Sequence, residues 1–122
     1  MSQKLCLITG GGSGIGRATA LKFAKNKIET IIVGRREGPL IETKNSAGEF
    51  SDYINVINSD ISNEEGINNL YNEIDKNFDK NVSILVNNAG ASSQVRSVAH
   101  IPKNQWDEVI NINLNSVYLL CQ

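Results

Sequence analysis

Lys4-Leu5-Cys6-Leu7-Ile8-Thr9-Gly10-Gly11-Gly12-Ser13-Gly14-Ile15-Gly16 passes from a short apolar run to a glycine-rich turn and then into a helical pattern. An apolar run of this length bounded by glycines fits a strand, Lys4 to Ile8, buried on both faces. Glycines let the backbone turn sharply and approach a ligand closely, and the N–H groups at the start of the next helix, Gly14 to Lys25, offer an anion site. A phosphorylated ligand is the natural occupant. A phosphate loop of the nucleoside-triphosphatase kind needs Gly-Lys-Ser/Thr at its end, whereas Gly16 is followed by Arg17-Ala18. The common dinucleotide spacing GxGxxG also fits poorly; the spacing here is TGxxxGxG.

Outward from this turn the pattern repeats. Glu29 to Val33 reads as a second strand and Tyr53 to Ile57 as a third. Ser83 to Val86, stopped by Asn87-Asn88-Ala89-Gly90, reads as a fourth. Residues 35–48 are ambiguous, since Gly38-Pro39 interrupts them and Leu40 to Lys44 could form two helical turns. Ser62 with Glu65 three residues on reads as a capping box, after which Ile67, Leu70, Ile74 and Phe78 repeat at helical spacing. An irregular stretch runs to His100. Beyond Pro102, the residues Trp106, Val109, Ile110, Val117 and Leu120 form one apolar stripe of a last helix, and Asn113 interrupts that stripe as a buried amide that must find partners. Asn111 falls off the stripe and reads as exposed.

Alternating strands and helices dictate an α/β fold. The expectation is a Rossmann-type doubly wound parallel sheet of four strands in the order 3-2-1-4, with ligands at the carboxyl ends of the strands. All 122 residues read as one domain, and the chain looks cut in mid-helix because Val117 to Gln122 lack a terminator. Twelve basic and 13 acidic side chains give a net charge of −1, without the basic footprint that nucleic-acid binding needs. No run is long enough for a signal segment or a membrane span, which implies a cytoplasmic protein. Cys6 and Cys121 lie in apolar runs without metal-ligand spacing and read as small core residues, with no metal site. His100 has no acidic or cysteine partner nearby in sequence and reads as a satisfied or surface histidine, not a catalytic base.

The TGxxxGxG spacing from Thr9 to Gly16, Asp60-Ile61 after the third strand, Asn87-Asn88-Ala89-Gly90 after the fourth, and Trp106-Asp107-x-x-Ile110-x-x-Asn113-Leu114 stand in one order. Together they resemble the amino-terminal half of the short-chain dehydrogenase/reductase family, including its 3-oxoacyl-carrier-protein reductase-like and hydroxysteroid-dehydrogenase-like members. The resemblance implies that Gly10, Gly12, Ser13, Gly14, Ile15 and Gly16 line a cofactor pyrophosphate, with Thr9 bracing the turn. Asp60 would accept from the adenine amino group, or else only cap its own turn, and Ile61 would pack on the ring. Asn88, Ala89 and Gly90 would run along the ribose, while Asn87 ties strand four to its neighbour. Asn113 would help hold a water in a proton relay, or else serve as a structural hydrogen bonder. An acidic residue at the end of the second strand would bind a ribose diol and select NAD(H); Gly34-Arg35-Arg36 stands there, and guanidiniums suit a 2′-phosphate. NADP(H) is therefore expected over NAD(H), through Arg35 and Arg36.

The family's serine and Tyr-x-x-x-Lys pair cannot be placed here: four residues beyond Tyr53, Tyr71 and Tyr118 stand Ile57, Asp75 and Gln122. One reading is an NADP(H)-dependent oxidoreductase for a carbonyl or alcohol substrate, its reacting groups lying past residue 122, with the short chain inactive alone and the complete protein a homo-oligomer. The other is a noncatalytic nucleotide-binding or oligomerisation module.

Overall fold

The computed structural model describes residues 4–90 and 99–122. Strands β1 (Leu5–Thr9), β2 (Glu29–Gly34), β3 (Ile54–Asn58) and β4 (Ile84–Val86) form one sheet in the order β3-β2-β1-β4, with all three pairings parallel. The helices are α1 (Gly14–Lys25), α2 (Glu37–Ser46), α3 (Glu64–Asn77), α4 (Lys103–Ile110) and α5 (Ser116–Cys121). The expected strand order and class are what the chain adopts. Most of the expected irregular stretch, 91–98, lies outside the described residues.

Side chains alternate across a strand, and the core follows that period. Leu5, Leu7, Ile31, Val33 and Ile57 face α3, whose Ile67, Leu70 and Ile74 pack with Leu120 of α5. Cys6, Ile8, Ile32 and Ile54 face the other way, against Ala20 and Ala24 of α1 and Leu40 of α2. β1 is buried at all five positions because it has strands on both sides and helices on both faces. Burial pushes the Cys6 thiol up to about 11, so Cys6 is an apolar filler, as expected.

Several local expectations shift. The fully buried face of α1 is Gly16, Ala20 and Ala24, small residues that bring the helix close to the sheet; Leu21 and Phe23 pack at its margin, and Ile15 is 77% exposed. α2 runs through Gly38-Pro39, since a proline in the first turn lacks only an N–H that has no helical partner anyway. Tyr53 closes a 3₁₀ turn (Gly48–Tyr53), which starts β3 one residue late. The cap of α3 is Asn63, not Ser62: the Ser62 N–H is taken by Asp60 Oδ1 at 2.9 Å, and Asn63 Oδ1 accepts from the Gly66 N–H at 2.7 Å. Cys121 is exposed, because one helical step past the buried Leu120 turns it about 100° away from the core.

The last helical stretch is the largest correction. Between α4 and α5 the chain makes a wide π turn (Asn111–Asn115), so the buried positions become Ile112, Ser116 and Leu120. Asn113 is exposed and not a buried amide, whereas Asn111 is partly covered and not exposed. Trp106 is also 48% exposed. An extra residue in one turn rotates everything before it relative to the core, which a 3.6-residue pattern does not anticipate. Among the described residues no helix is long and apolar enough to cross a membrane, and no cluster of His, Cys, Asp or Glu is placed to hold a metal.

Candidate functional site

The carboxyl ends of β1, β2, β3 and β4 open onto a cleft of about 160 Å³ that includes Gly10, Arg35, Asp60, Ile61, Ala89 and Gly90 in its lining, with Ile112 from the π turn. That is below the ~300–1,000 Å³ of a whole small-molecule site, so it fits one part of an extended ligand. A larger cavity, about 520 Å³, lies along β4 between Tyr71, Val82, Leu85 and Leu120, and no glycine-turn residue lines it.

The turn from β1 to α1 is held from behind. Gly10 adopts φ +69°, its N–H donates to the Val33 carbonyl at 2.9 Å, and a Cβ there would meet Ala89 Cα at 3.0 Å. A Cβ on Gly16 would overlap the Gly10 carbonyl oxygen, so the helix can start this close only with glycine at that position. Arg17 Nη2 donates to the Gly12 carbonyl at 2.5 Å, Arg17 Nε to Thr43 Oγ1 at 2.9 Å, and the Thr43 hydroxyl to the Gly11 carbonyl at 2.8 Å. With those carbonyls engaged on the inner side, the outer side of the turn is left to N–H groups. The first N–H groups of α1 have no partner within the helix, Ser13 makes no capping bond, and no acidic residue stands in the first turn. The arrangement is fit to receive an anion.

Thr9 is 1% exposed and acts through the turn: its hydroxyl accepts from the N–H groups of Asn88 at 3.0 Å and Ala89 at 2.9 Å and donates to the Val86 carbonyl at 3.4 Å. Asn88 Nδ2 donates to the Gly10 carbonyl at 3.1 Å. Asn88 thus does the joining expected of Asn87, whose amide reaches Cys121 Sγ at 3.8 Å instead. Ser13, Gly14 and Ile15 sit exposed beyond the cleft, and Gly12 is partly covered.

Asp60 accepts from the Ser62 N–H and lines the cleft as well, so turn-capping and ligand-facing positions coincide. Burial pushes its carboxyl up, but bonds from the Ser62 side chain and N–H and the Arg35 charge outweigh this and hold it below the usual carboxylate value. Ile61 is 6% exposed and belongs to the core as much as to the cleft. Arg35 Nη1 lies 3.1 Å from Glu108 Oε1, and Arg36 stands exposed at the start of α2. Asn113 donates to the Val109 carbonyl at 2.9 Å, and a Cβ added to Gly90 would come 2.8 Å from Asn113 Oδ1, which sets this amide against the cleft backbone. Arg17, Thr43, Glu108 and Ile112 were not singled out in sequence. Arg17 directly after the last glycine is the one local signal; the other three meet the turn only through the fold.

Tyr71 donates its hydroxyl to the Leu120 carbonyl at 2.5 Å, and burial, then the charge of Cys121, raise its pKa. A tyrosine that moves protons needs the opposite shift.

The family model described as short chain dehydrogenase matches residues 4–122. A 3beta-hydroxysteroid dehydrogenase of Mediterraneibacter gnavus is 32% identical over 123 residues, covering 98% of this chain and 43% of that protein. A short chain dehydrogenase from Bacillus anthracis superposes with TM-score 0.88 at 33% identity, over 98% of this chain and 49% of the other. The 3-ketoacyl-(acyl-carrier-protein) reductase from Brucella melitensis, complexed with NADH, superposes with TM-score 0.86 at 31% identity, over 97% and 47%. The chain spans less than half the length of several curated relatives that it matches.

Proposed function

The chain belongs to the short-chain dehydrogenase family, and on that premise we propose that the protein containing it is an NADP(H)-dependent oxidoreductase acting on a carbonyl or alcohol substrate. The observation that carries the reading is the meeting of the glycine turn, Arg35 and Asp60 around one cleft at the carboxyl edge of the sheet. When bound, a nicotinamide dinucleotide supplies or takes up hydride. The chain's own part is to bind and orient it. The turn from Gly10 through Gly12, Ser13, Gly14 and Ile15 to Gly16, braced by Thr9, holds the pyrophosphate on N–H groups. Asp60 accepts from the adenine amino group and Ile61 backs the ring, while Asn88, Ala89 and Gly90 follow the ribose. Arg35, with Arg36 beside it, binds a 2′-phosphate by charge-assisted hydrogen bonds where a carboxylate would have bound a diol.

Asn113, against Gly90, is the one residue of the proton path proposed within these 122 positions. The serine and Tyr-x-x-x-Lys groups lie beyond them in this reading, since four residues past Tyr53, Tyr71 and Tyr118 stand Ile57, Asp75 and Gln122. Exposed Trp106, Leu114 and Tyr118 on the last helical stretch support self-association of the complete protein. The test is a pair of titrations on the protein expressed from its complete coding sequence. NADPH is expected to bind more tightly than NADH and to be oxidised in the presence of a ketone or aldehyde substrate; equal affinities, or tighter NADH, would sink the cofactor preference.

A further inference from the structure

Arg35 leaves β2 at the mouth of the cleft, and its guanidinium is already engaged. Nη1 donates to Glu108 Oε1 at 3.1 Å, joining two elements 73 residues apart in sequence. Glu108 does not itself line the cleft, but its contact with Arg35 brings this carboxylate to the opening that Ile112 borders from the same helical stretch. Both partners are about half exposed, 49% and 55%. A carboxylate and a phosphate use the same planar fork of guanidinium N–H donors. A phosphate arriving at Arg35 therefore meets a donor in use and a like charge beside it, while an uncharged ribose diol meets neither obstacle.

We propose that Glu108 is a specificity-determining residue of the cofactor site: its carboxylate competes with the ribose 2′-phosphate for the Arg35 guanidinium and lowers the preference for the phosphorylated dinucleotide. The inference rests on the NADP(H) reading above. An exposed ion pair is weak, so the competition sets a two- to fivefold effect, roughly, and not the presence or absence of binding. Asp107, one residue earlier, pairs with Lys103 of its own helix at 2.6 Å, whereas Arg35 pairs with Glu108, so Asp107 serves as a control for simple loss of negative charge.

The experiment measures NADPH and NADH dissociation constants by fluorescence titration of the complete protein, for the wild type, Glu108→Gln, Asp107→Asn, Arg35→Ala and the Arg35→Ala/Glu108→Gln double variant. The quantity read is the NADH-to-NADPH ratio of dissociation constants. Glu108→Gln is expected to raise it about two- to fivefold through NADPH alone, with no change from Asp107→Asn and none from Glu108→Gln once Arg35 is gone. An unchanged ratio in Glu108→Gln overturns the proposal. So does a rise that persists without Arg35, which would mark a general charge effect. The wild-type ratio separately checks the cofactor reading: if it is one or less that reading fails, and the change on Glu108→Gln still decides what Glu108 does.

Discussion

The turn from β1 to α1 and the turn from β2 to α2 leave the same edge of the sheet and border the same cleft, yet they are held by different kinds of group. The first is fixed by backbone and buried side chains: Gly16, where any Cβ would overlap the Gly10 carbonyl oxygen, and Thr43, wholly buried, joining Arg17 to the Gly11 carbonyl. The second carries its chemistry on exposed arginines, one of them tethered by a half-exposed ion pair. In the proposed function, binding of a phosphate is thus assigned to the frame, where a change costs stability, and the choice between cofactors to side chains that can change at little cost to the fold.

The strongest way to break this contrast is Gly16→Val. Its Cβ would occupy the place of a backbone oxygen that cannot swing aside, so a loss of about 3 kcal/mol or more is expected in urea unfolding, together with at least a tenfold weaker NADPH titration. Wild-type behaviour in both would show that the close approach is not needed. Thr43→Val keeps the volume and removes the hydroxyl, which leaves Arg17 Nε and the Gly11 carbonyl short of a partner; the expected loss is about 1–3 kcal/mol by the same unfolding measurement. Arg35→Ala should leave stability within about 0.5 kcal/mol of wild type and weaken NADPH about tenfold with NADH unchanged. A parallel loss for both dinucleotides would move Arg35 from the phosphate to the frame.

The smallest effect concerns Asp60. Its carboxyl is held below the ordinary value, so its ionised form contributes stability above about pH 3.9 that is lost as pH falls through the lower folded value. Asp60→Asn retains an acceptor for the Ser62 N–H and removes the charge. The gap between the two proteins is expected to be well under 1 kcal/mol, constant from pH 7 to 5, and to close only below about pH 4. A gap that widens on acidification would reverse the sign of the argument.

The same contrast explains what could be read from sequence. The buried run of β1, the glycine spacing and the parallel alternation are local signals, and they carry the strand order and the glycine turn at the carboxyl edge of the sheet. The Arg17–Thr43 and Arg35–Glu108 contacts span 26 and 73 residues and leave no periodic trace. The cap of α3 moved to Asn63 because Asp60 had already taken the Ser62 N–H, a competition between two good local motifs. Asn113 is exposed, against the buried position that its spacing predicts, because a π turn shifts the pattern by one residue without any composition to announce it.

The proposed function seats the dinucleotide at the carboxyl edge around the glycine turn. Amide chemical shifts of the isotope-labelled complete protein, followed during an NADPH titration, test this most directly. The largest changes are expected at Gly12, Ser13, Gly14 and Ile15, with further changes at Arg35, Asp60 and Gly90. Changes concentrated instead at Tyr71, Val82, Leu85 and Leu120, around the larger cavity beside β4, would contradict it.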